Sequence, residues 1–479
     1  MLWHLDSYPA PWFDEGFRLN AACTLAEHGV YGTFTTAGYM NFDPSISAGP
    51  VLVAPVALAY WFFGCGLNAA RLVAVAFSLV AIFAVYVLSA KLYGRHAALF
   101  ISLFVLATGP LSDVGLIYLG RQVMGEVPGL ACALVGFCLC ESAWREERVD
   151  LAALSGIAFA FAVLAKLQFG CSLIPAVAIV GTARAWSGAR VRTSMSPLVV
   201  VLAVLAMWFG IERAWTPPAV RVENTAMFAE ILRVAVFGGL RGAQLGRRGL
   251  ALTAVMIVAG IARGVPVLKG IRKGDHSCWP EMLLVVSVLA HAAWFALCSI
   301  GWPRYAFAGF TISLVLAGKV AWDFSHVASR HLSSHRPRYA AVIAALAVFV
   351  MLANSLPPVV LADDGGARAM AAFIQRSVPA EAVVESWEWE LDVLGRHRNF
   401  HHPSEQYLYD AIEQFFMLRA ATDRFERPLN LGYDPLGADP DFLVEGVFSD
   451  FTGIYRSASD RDFRKVAEFG SYRLYERVR

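Results

Sequence analysis

Long apolar runs joined by short charged links fill the first three quarters of the chain. Ten of them approach or exceed the roughly 20 residues that a helix needs to cross about 30 Å of hydrocarbon. They cover 69–92, 97–119, 127–143, 151–165, 169–183, 197–215, 250–262, 282–300, 305–322 and 339–360. A further run, 50–63, opens at Gly49-Pro50 and closes at Gly64-Cys-Gly66. It is too short for an untilted span, and we read it as a helix lying flat at the interface. Ahead of it, a helical period over residues 13–28 puts Phe17, Ala21 and Leu25 on one face. From Asp363 the pattern turns to that of a soluble α/β unit. It predicts helices over 367–377 and 404–421 and strands over 382–386, 442–447 and 472–475, with Gly432-Tyr-Asp-Pro435 and Gly437-Ala-Asp-Pro440 as turns. Two domains follow: residues 1–362 in the membrane and residues 363–479 outside it.

Composition agrees, since 57% hydrophobic and 16% charged residues define a polytopic membrane protein. The net charge of +2 divides into +9 before Asp363 and −7 from it onward. Every second link between apolar runs is basic: Lys91, Arg95 and His96; Arg145 and Arg148; Arg184, Arg190 and Arg192; Arg263, Lys269, Arg272 and Lys273; Arg330, Arg336 and Arg338. Basic links stay on the cytoplasmic side. The alternate links, around Arg121, Lys166, 212–248 and Arg304, therefore face outward with the acidic tail, the arginine-bearing 212–248 segment being the weakest fit. Basic residues so dispersed form no patch for nucleic acid. The eight cysteines lie mostly in or beside apolar runs, a distribution that suggests neither a disulfide framework nor a zinc site. No signal peptide and no spanning helix precede Asp14, so a first membrane helix is expected to be missing from this chain.

This topology gathers Asp14, Glu15, Arg121, Glu126, Lys166, Gln168, Arg304 and Tyr305 at one outer interface. Charges at mid-bilayer cost at least about 3 kcal/mol, so an interface or a polar cavity is where such groups belong. Acids and bases mixed in this way suit a site that handles a phosphate and a hydroxyl. Structural readings stand beside the chemical ones. Asp14 is either the centre of the chemistry or the N-cap of its helix. Arg121 and Glu126 either serve a ligand or close a helix end, Lys166 either binds an anion or snorkels, and Arg304 either grips phosphate or anchors the interface with Trp302 and Tyr305. His291, inside an apolar run, reads as a satisfied core histidine, and His397, His401 and His402 read as loop structure, not a metal site.

Trp12-Phe-Asp-Glu-Gly16, Gly66-Leu-Asn-Ala-Ala-Arg71, Gly120-Arg-Gln-Val-Met-Gly-Glu-Val-Pro128 and Pro303-Arg-Tyr305 together resemble the GT-C membrane glycosyltransferases. The nearest group is glycosyltransferase family 39 and its bacterial relatives, which include protein O-mannosyltransferases and lipid A aminoarabinose transferases. The resemblance covers roughly residues 10 to 320. It implies a polytopic α-helical GT-C-like domain with about ten spanning helices plus interfacial helices, set in the cell (inner) membrane. It also implies inverting transfer of a sugar from a polyprenyl-phosphate donor to an acceptor hydroxyl on a lipid, glycan or protein. Asp14 then matches the family's catalytic acid, with Glu15 beside it; Arg121, Lys166, Arg304 and Tyr305 hold the donor phosphate, and Glu126 stands where many relatives have aspartate. Some relatives use a divalent cation, Mg or Mn, for which Glu15 and Glu126 are the candidates here. The rival classes are a membrane transporter, which calls for ionisable groups along a central pore, and a non-catalytic scaffold that binds polyprenyl lipids.

Overall fold

A computed structural model describes residues 2–35, 38–41, 49–107, 114–241, 245–331, 353, 363–395, 399–421, 429, 431–456 and 462–478. The chain opens with α1 (Phe13–His28), the hairpin β1 (Gly32–Thr35) and β2 (Gly38–Asn41), and α2 (Pro50–Phe63). The membrane helices follow: α3 (Leu67–Tyr93), α4 (Arg95–Ala107), the short α5 (Leu116–Leu119), α6 (Glu126–Glu146), α7 (Val149–Ala165), α8 (Gln168–Trp186) and α9 (Val191–Trp215). After α10 (Pro218–Ile231) and a π turn over Leu232–Val236 come α11 (Arg247–Arg272), α12 (Trp279–Leu297) and α13 (Phe307–His331). Among the described residues, seven helices are long and apolar enough to span a bilayer, and α2, α4 and α7 are shorter apolar helices. The expected run 97–119 is divided between α4 and α5, and the run 339–360, residue 353 apart, lies outside the described residues.

Because consecutive long helices run antiparallel, the bundle has two ends. At one lie the starts of α3, α6, α8 and α13; at the other lie the basic links after α3, α6, α8 and α11. The tail builds a five-stranded sheet in the order β4–β3–β5–β7–β6, from β3 (Val384–Ser386), β4 (Phe400–His401), β5 (Phe442–Glu445), β6 (Phe463–Phe469) and β7 (Tyr472–Arg477). β3 is parallel to β4 and β5, and β7 is antiparallel to β5 and β6. Helix Ala367–Ser377 covers the sheet, and Glu405–Ala421 reaches toward the bundle.

The sheet packs directly on α1. Phe13 and Phe17 share one apolar core with Trp387, Trp389 and Leu443. Gly16 makes this approach possible, because a β-carbon there would stand 2.1 Å from the backbone nitrogen of Glu390. Asn20 donates to Asp392 across the same contact. α1 thus belongs to the cores of both predicted domains.

Two expectations are corrected. Cys23 and Cys65 form a disulfide that ties α1 to the turn before α3, where the sequence suggested none. The scattered count hid it, because these two cysteines alone precede the long apolar helices. Of the histidines expected in a loop, His401 is a strand residue, His402 follows the strand in a loop as expected, and His397 lies outside the described residues. His401 lies in β4 with Nδ1 2.5 Å from Glu385 Oε2, and His402 stacks on Trp389 at 3.7 Å with Nδ1 2.6 Å from the Ser386 carbonyl.

Candidate active site

α1 starts after Trp12, whose extended backbone makes it the N-cap, so Asp14 sits inside the first turn and does not cap the helix. Its side chain is only 16% exposed and pairs with Arg304, while Arg18, one turn on, places Nη1 3.9 Å from Asp14 Oδ1. Arg304 enters from the 3-10 turn Pro303–Ala306 ahead of α13. It is clamped among the rings of Trp302 at 4.6 Å, Trp12 at 5.2 Å and Tyr305 at 5.7 Å. From the link between α7 and α8, Lys166 Nζ stands 3.0 Å from Glu126 Oε1 and 5.6 Å from the Tyr305 ring centre. Gly125 permits this meeting, since a β-carbon there would lie 2.2 Å from the Ala165 carbonyl oxygen.

Asp14, Arg18, Lys166, Arg304 and Tyr305 line a cleft of about 100 Å³, partly open to solvent, whose walls also include Trp12, Phe17, Gln168 and Trp302, with Glu126 behind Lys166. The tail completes it with Leu408, Tyr409, Ile412 and Phe448. Five charged groups meet here: Arg18, Lys166 and Arg304 against Asp14 and Glu126, one positive charge in excess. Buried polar atoms around the cleft also lack hydrogen-bond partners among the described residues, namely Trp12 Nε1, Gln168 Oε1, Arg304 Nε and Glu126 Oε2. Each such orphan costs about 1–3 kcal/mol unless something fills it.

Burial pushes the Asp14 carboxyl upward, but the cations Arg304, Arg18 and Lys166 outweigh it and hold the group below its ordinary 3.8. For Lys166, burial lowers the ammonium below 10.5, with Glu126 opposing. At neutral pH the cleft therefore holds an ionised carboxylate beside cations.

Two of the expected site residues lie elsewhere. Glu15, adjacent in sequence to Asp14, points away from the cleft and is fully buried. Arg71 grips it from α3 through Nε at 2.9 Å and Nη2 at 2.6 Å, and the Val123 amide donates to it at 3.0 Å. Arg121 is buried too, donating to the carbonyls of Tyr8 at 2.8 Å and Trp3 at 2.5 Å, and it does not line the cleft. The structure brings together Asp14, Lys166, Arg304, Tyr305 and Glu126, and it adds Arg18 and Trp12. Arg18 carried a sequence signal, since position i+4 from an acid is one helical turn away.

The residues do not fit the divalent-cation site expected at Glu15 and Glu126. Each acid already faces its own cation, Arg71 or Lys166, and the two do not line a common cavity. Cys23, Glu27 and Cys65 are the one group with metal-ligand spacing among the described residues, and the disulfide takes both thiols. His291 is the satisfied core histidine expected, with Nε2 2.9 Å from the Tyr305 carbonyl and Nδ1 3.4 Å from Ser172 Oγ.

No family model and no curated protein matches the sequence. Similarity lies in the fold. ArnT from Cupriavidus metallidurans, solved bound to undecaprenyl phosphate, aligns with a TM-score of 0.63 and 14% identity over 100% of this chain and 96% of that one. The oligosaccharyltransferase of Archaeoglobus fulgidus tethered to an acceptor peptide gives a TM-score of 0.57 at 13% identity over 100% of this chain and 72% of that one. The same archaeal enzyme with an inhibitory peptide and dolichol-phosphate gives 0.54 at 12%, over 98% of this chain and 71% of that one. The chain is a multi-pass membrane protein with the GT-C glycosyltransferase fold.

Proposed function

We propose that this protein transfers a sugar from a polyprenyl-phosphate donor to an acceptor hydroxyl, with inversion at the anomeric carbon. The observation that carries the reading is the convergence of Asp14 with Arg18, Lys166 and Arg304 in one cleft at the end of an apolar bundle. The relatives in fold hold undecaprenyl phosphate or dolichol-phosphate, a ligand whose isoprenoid belongs in lipid and whose phosphate needs cations.

In the reaction the acceptor oxygen attacks the anomeric carbon, and the bond from that carbon to the phosphate oxygen breaks. The electron pair leaves with the phosphate, whose added charge falls to Arg304, Arg18 and Lys166. The hydroxyl proton goes to Asp14 as general base. A phosphate on Arg304 and Arg18 draws those cations from Asp14, which raises its basicity when substrate is present. A carboxylate this acidic in the empty site accepts the proton late, once attack has made the hydroxyl acidic.

The cleft faces the extracytoplasmic side in this reading. The basic links lie at the opposite end of the bundle, as the positive-inside rule requires. The disulfide joins the segment leading into α3 at the cleft end, and disulfides persist in oxidising compartments. Ionisable groups collect at the two ends of the bundle, and no chain of them crosses its middle among the described residues, which favours the enzyme over a transporter.

The test is transfer of radiolabelled sugar from a panel of polyprenyl-phosphate donors by purified protein in detergent, beside Asp14→Asn at equal folded yield. Loss of about 10²–10⁴-fold in the variant is expected of a general base. Undiminished transfer by Asp14→Asn would remove that role from Asp14, and no transfer from any donor would turn the assignment toward a binding scaffold.

A further inference from the structure

Phe13, Gly16, Phe17 and Asn20 follow the i, i+3, i+4, i+7 spacing, so they form one stripe of α1, and that stripe lies against the tail. Asp14 and Arg18 form a second stripe, turned by about 100°, which faces the cleft. How α1 is rotated on the tail therefore decides where Asp14 and Arg18 point. The apolar contacts of Phe13 and Phe17 hold the surfaces together but fix that angle weakly, because hydrophobic burial is non-directional. A hydrogen bond is directional. Asn20, 7% exposed, supplies one on this stripe, donating from Nδ2 to Asp392 Oδ2 on the short helix Trp389–Gly395.

His402 stands behind the same carboxylate oxygen. Its side chain is buried and stacked on Trp389, with Nδ1 2.6 Å from the Ser386 carbonyl oxygen and Nε2 3.6 Å from Asp392 Oδ2. A carbonyl oxygen only accepts, so Nδ1 carries a proton. A neutral ring would then turn the bare lone pair of Nε2 toward a carboxylate, and Nε2 has no hydrogen-bond partner among the described residues. A second proton, on Nε2, resolves both: the imidazolium pairs with Asp392 and rests its charge on the face of Trp389. The other titratable groups on these elements are committed elsewhere. Glu385 is held by His401 and Tyr455, Glu388 by the Ser449 amide and Glu390 by Tyr472. On α1, Asp14 and Arg18 line the cleft and Glu15 is held by Arg71. Among the described residues, no lysine or arginine pairs with Asp392 in place of His402.

We propose that His402 and Asp392 are positioning residues for α1: with its second proton His402 holds Asp392 in place for Asn20, and losing that proton loosens the angle at which α1 presents Asp14 to the cleft. The effect on catalysis rests on the glycosyl-transfer reading, whereas the clamp itself does not. Imidazole titrates near neutrality, so the hold is full in mild acid and fades as pH rises.

The experiment is amide hydrogen exchange on the full chain in detergent at about pH 5.5 and about pH 8.5, corrected for the intrinsic effect of pH on exchange. His402→Gln keeps a donor for the Ser386 carbonyl and cannot take up a second proton; Asp392→Asn removes the charge it would meet, and thermal unfolding establishes that each variant is folded. In the wild type the amides of α1 are expected to exchange about tenfold faster at the higher pH, the scale of one lost charge-assisted hydrogen bond, with those of α6 and α12 unchanged. In both variants α1 is expected to exchange alike at the two pH values. Transfer measured in parallel should lose about threefold in kcat across the same interval, with the donor KM unchanged because Lys166 and Arg304 come from other elements, and both variants should lack that step. Wild-type α1 exchange that is the same at both pH values, or a pH step that survives in both variants, would overturn the proposal. Transfer that proceeds while α1 shows no step defeats the clamp and leaves the function reading standing. An α1 that loosens as expected in a protein that transfers from no donor supports the clamp and defeats that reading.

Discussion

The two ends of the bundle use nearly the same set of residues to opposite effect. Away from the cleft, Tyr93, Arg263, Glu281, Lys319 and Asp323 bring α3, α11, α12 and α13 together. Arg263 Nε is 2.7 Å and Tyr93 Oη 2.9 Å from Glu281 Oε1, and Arg263 and Lys319 lie 5.7 and 5.5 Å from the Tyr93 ring centre. At the cleft, Arg304 and Lys166 stand over Tyr305 at 5.7 and 5.6 Å in the same manner. The difference is in the balance. The first cluster matches two cations with two carboxylates and leaves no polar atom of its side chains orphaned. The second has a cation in excess, orphaned donors and acceptors, and a cavity. Saturated, such a cluster is a clamp; left short of partners, it is a site.

The adjacent acids of α1 repeat the contrast within one helical turn. Glu15, satisfied by Arg71 and Val123, acts as a clamp, so Glu15→Gln should destabilise the fold by about 3–5 kcal/mol, the usual loss on breaking a buried pair. Thermal unfolding would read it, and transfer per folded molecule should change little. A variant as stable as the wild type but inactive would reverse the roles given to the two acids.

Arg304→Met probes the other side of the comparison. Losing a preorganised donor at the leaving phosphate should lower transfer by about 10²–10³-fold. Rate measurements at saturating donor, with unfolding temperature as control, separate this from a stability loss.

Glu281→Gln should do the reverse. Leaving Arg263 and Tyr93 short of their acceptor costs about 1–3 kcal/mol of stability, with the transfer rate per folded molecule nearly unchanged. A selective loss of transfer would make the far cluster more than a clamp.

The pH profile should show the smallest effect. Asp14, held below 3.8, stays ionised through mild acidity, so its protonation brings no loss of activity between pH 5 and 7, as the depressed direction requires. Lys166, lowered from 10.5 by burial, should lose its charge and weaken transfer on the alkaline side before an ordinary lysine would. Lys166→Arg, which keeps its charge, should move that alkaline limb upward.

Much of this was legible in the chain. Apolar run lengths located the helices, and alternating basic links sorted Lys166, Arg304 and Glu126 to one end, because both signals are local and set by the bilayer. What the sequence hid depends on meetings between distant segments. Nothing near Glu15 announces Arg71 across 56 positions, and it is this partner that separates Glu15 from Asp14. The tail's share of the cleft, Tyr409 and Phe448 among it, follows from the seating of Gly16 on Glu390, a contact without a pattern in either segment. Cys23 and Cys65 were dismissed by a count when their position was the signal.

The most direct measurement is where a polyprenyl phosphate goes. A photoreactive analogue, with the reactive group next to the phosphate, should label peptides containing Trp12 to Arg18, Lys166 to Gln168 and Trp302 to Tyr305, and bare polyprenyl phosphate should compete it away. Label concentrated around Tyr93, Arg263 and Glu281, or spread without competition along the exposed surface of α9, would contradict the assignment of the cleft as the phosphate site.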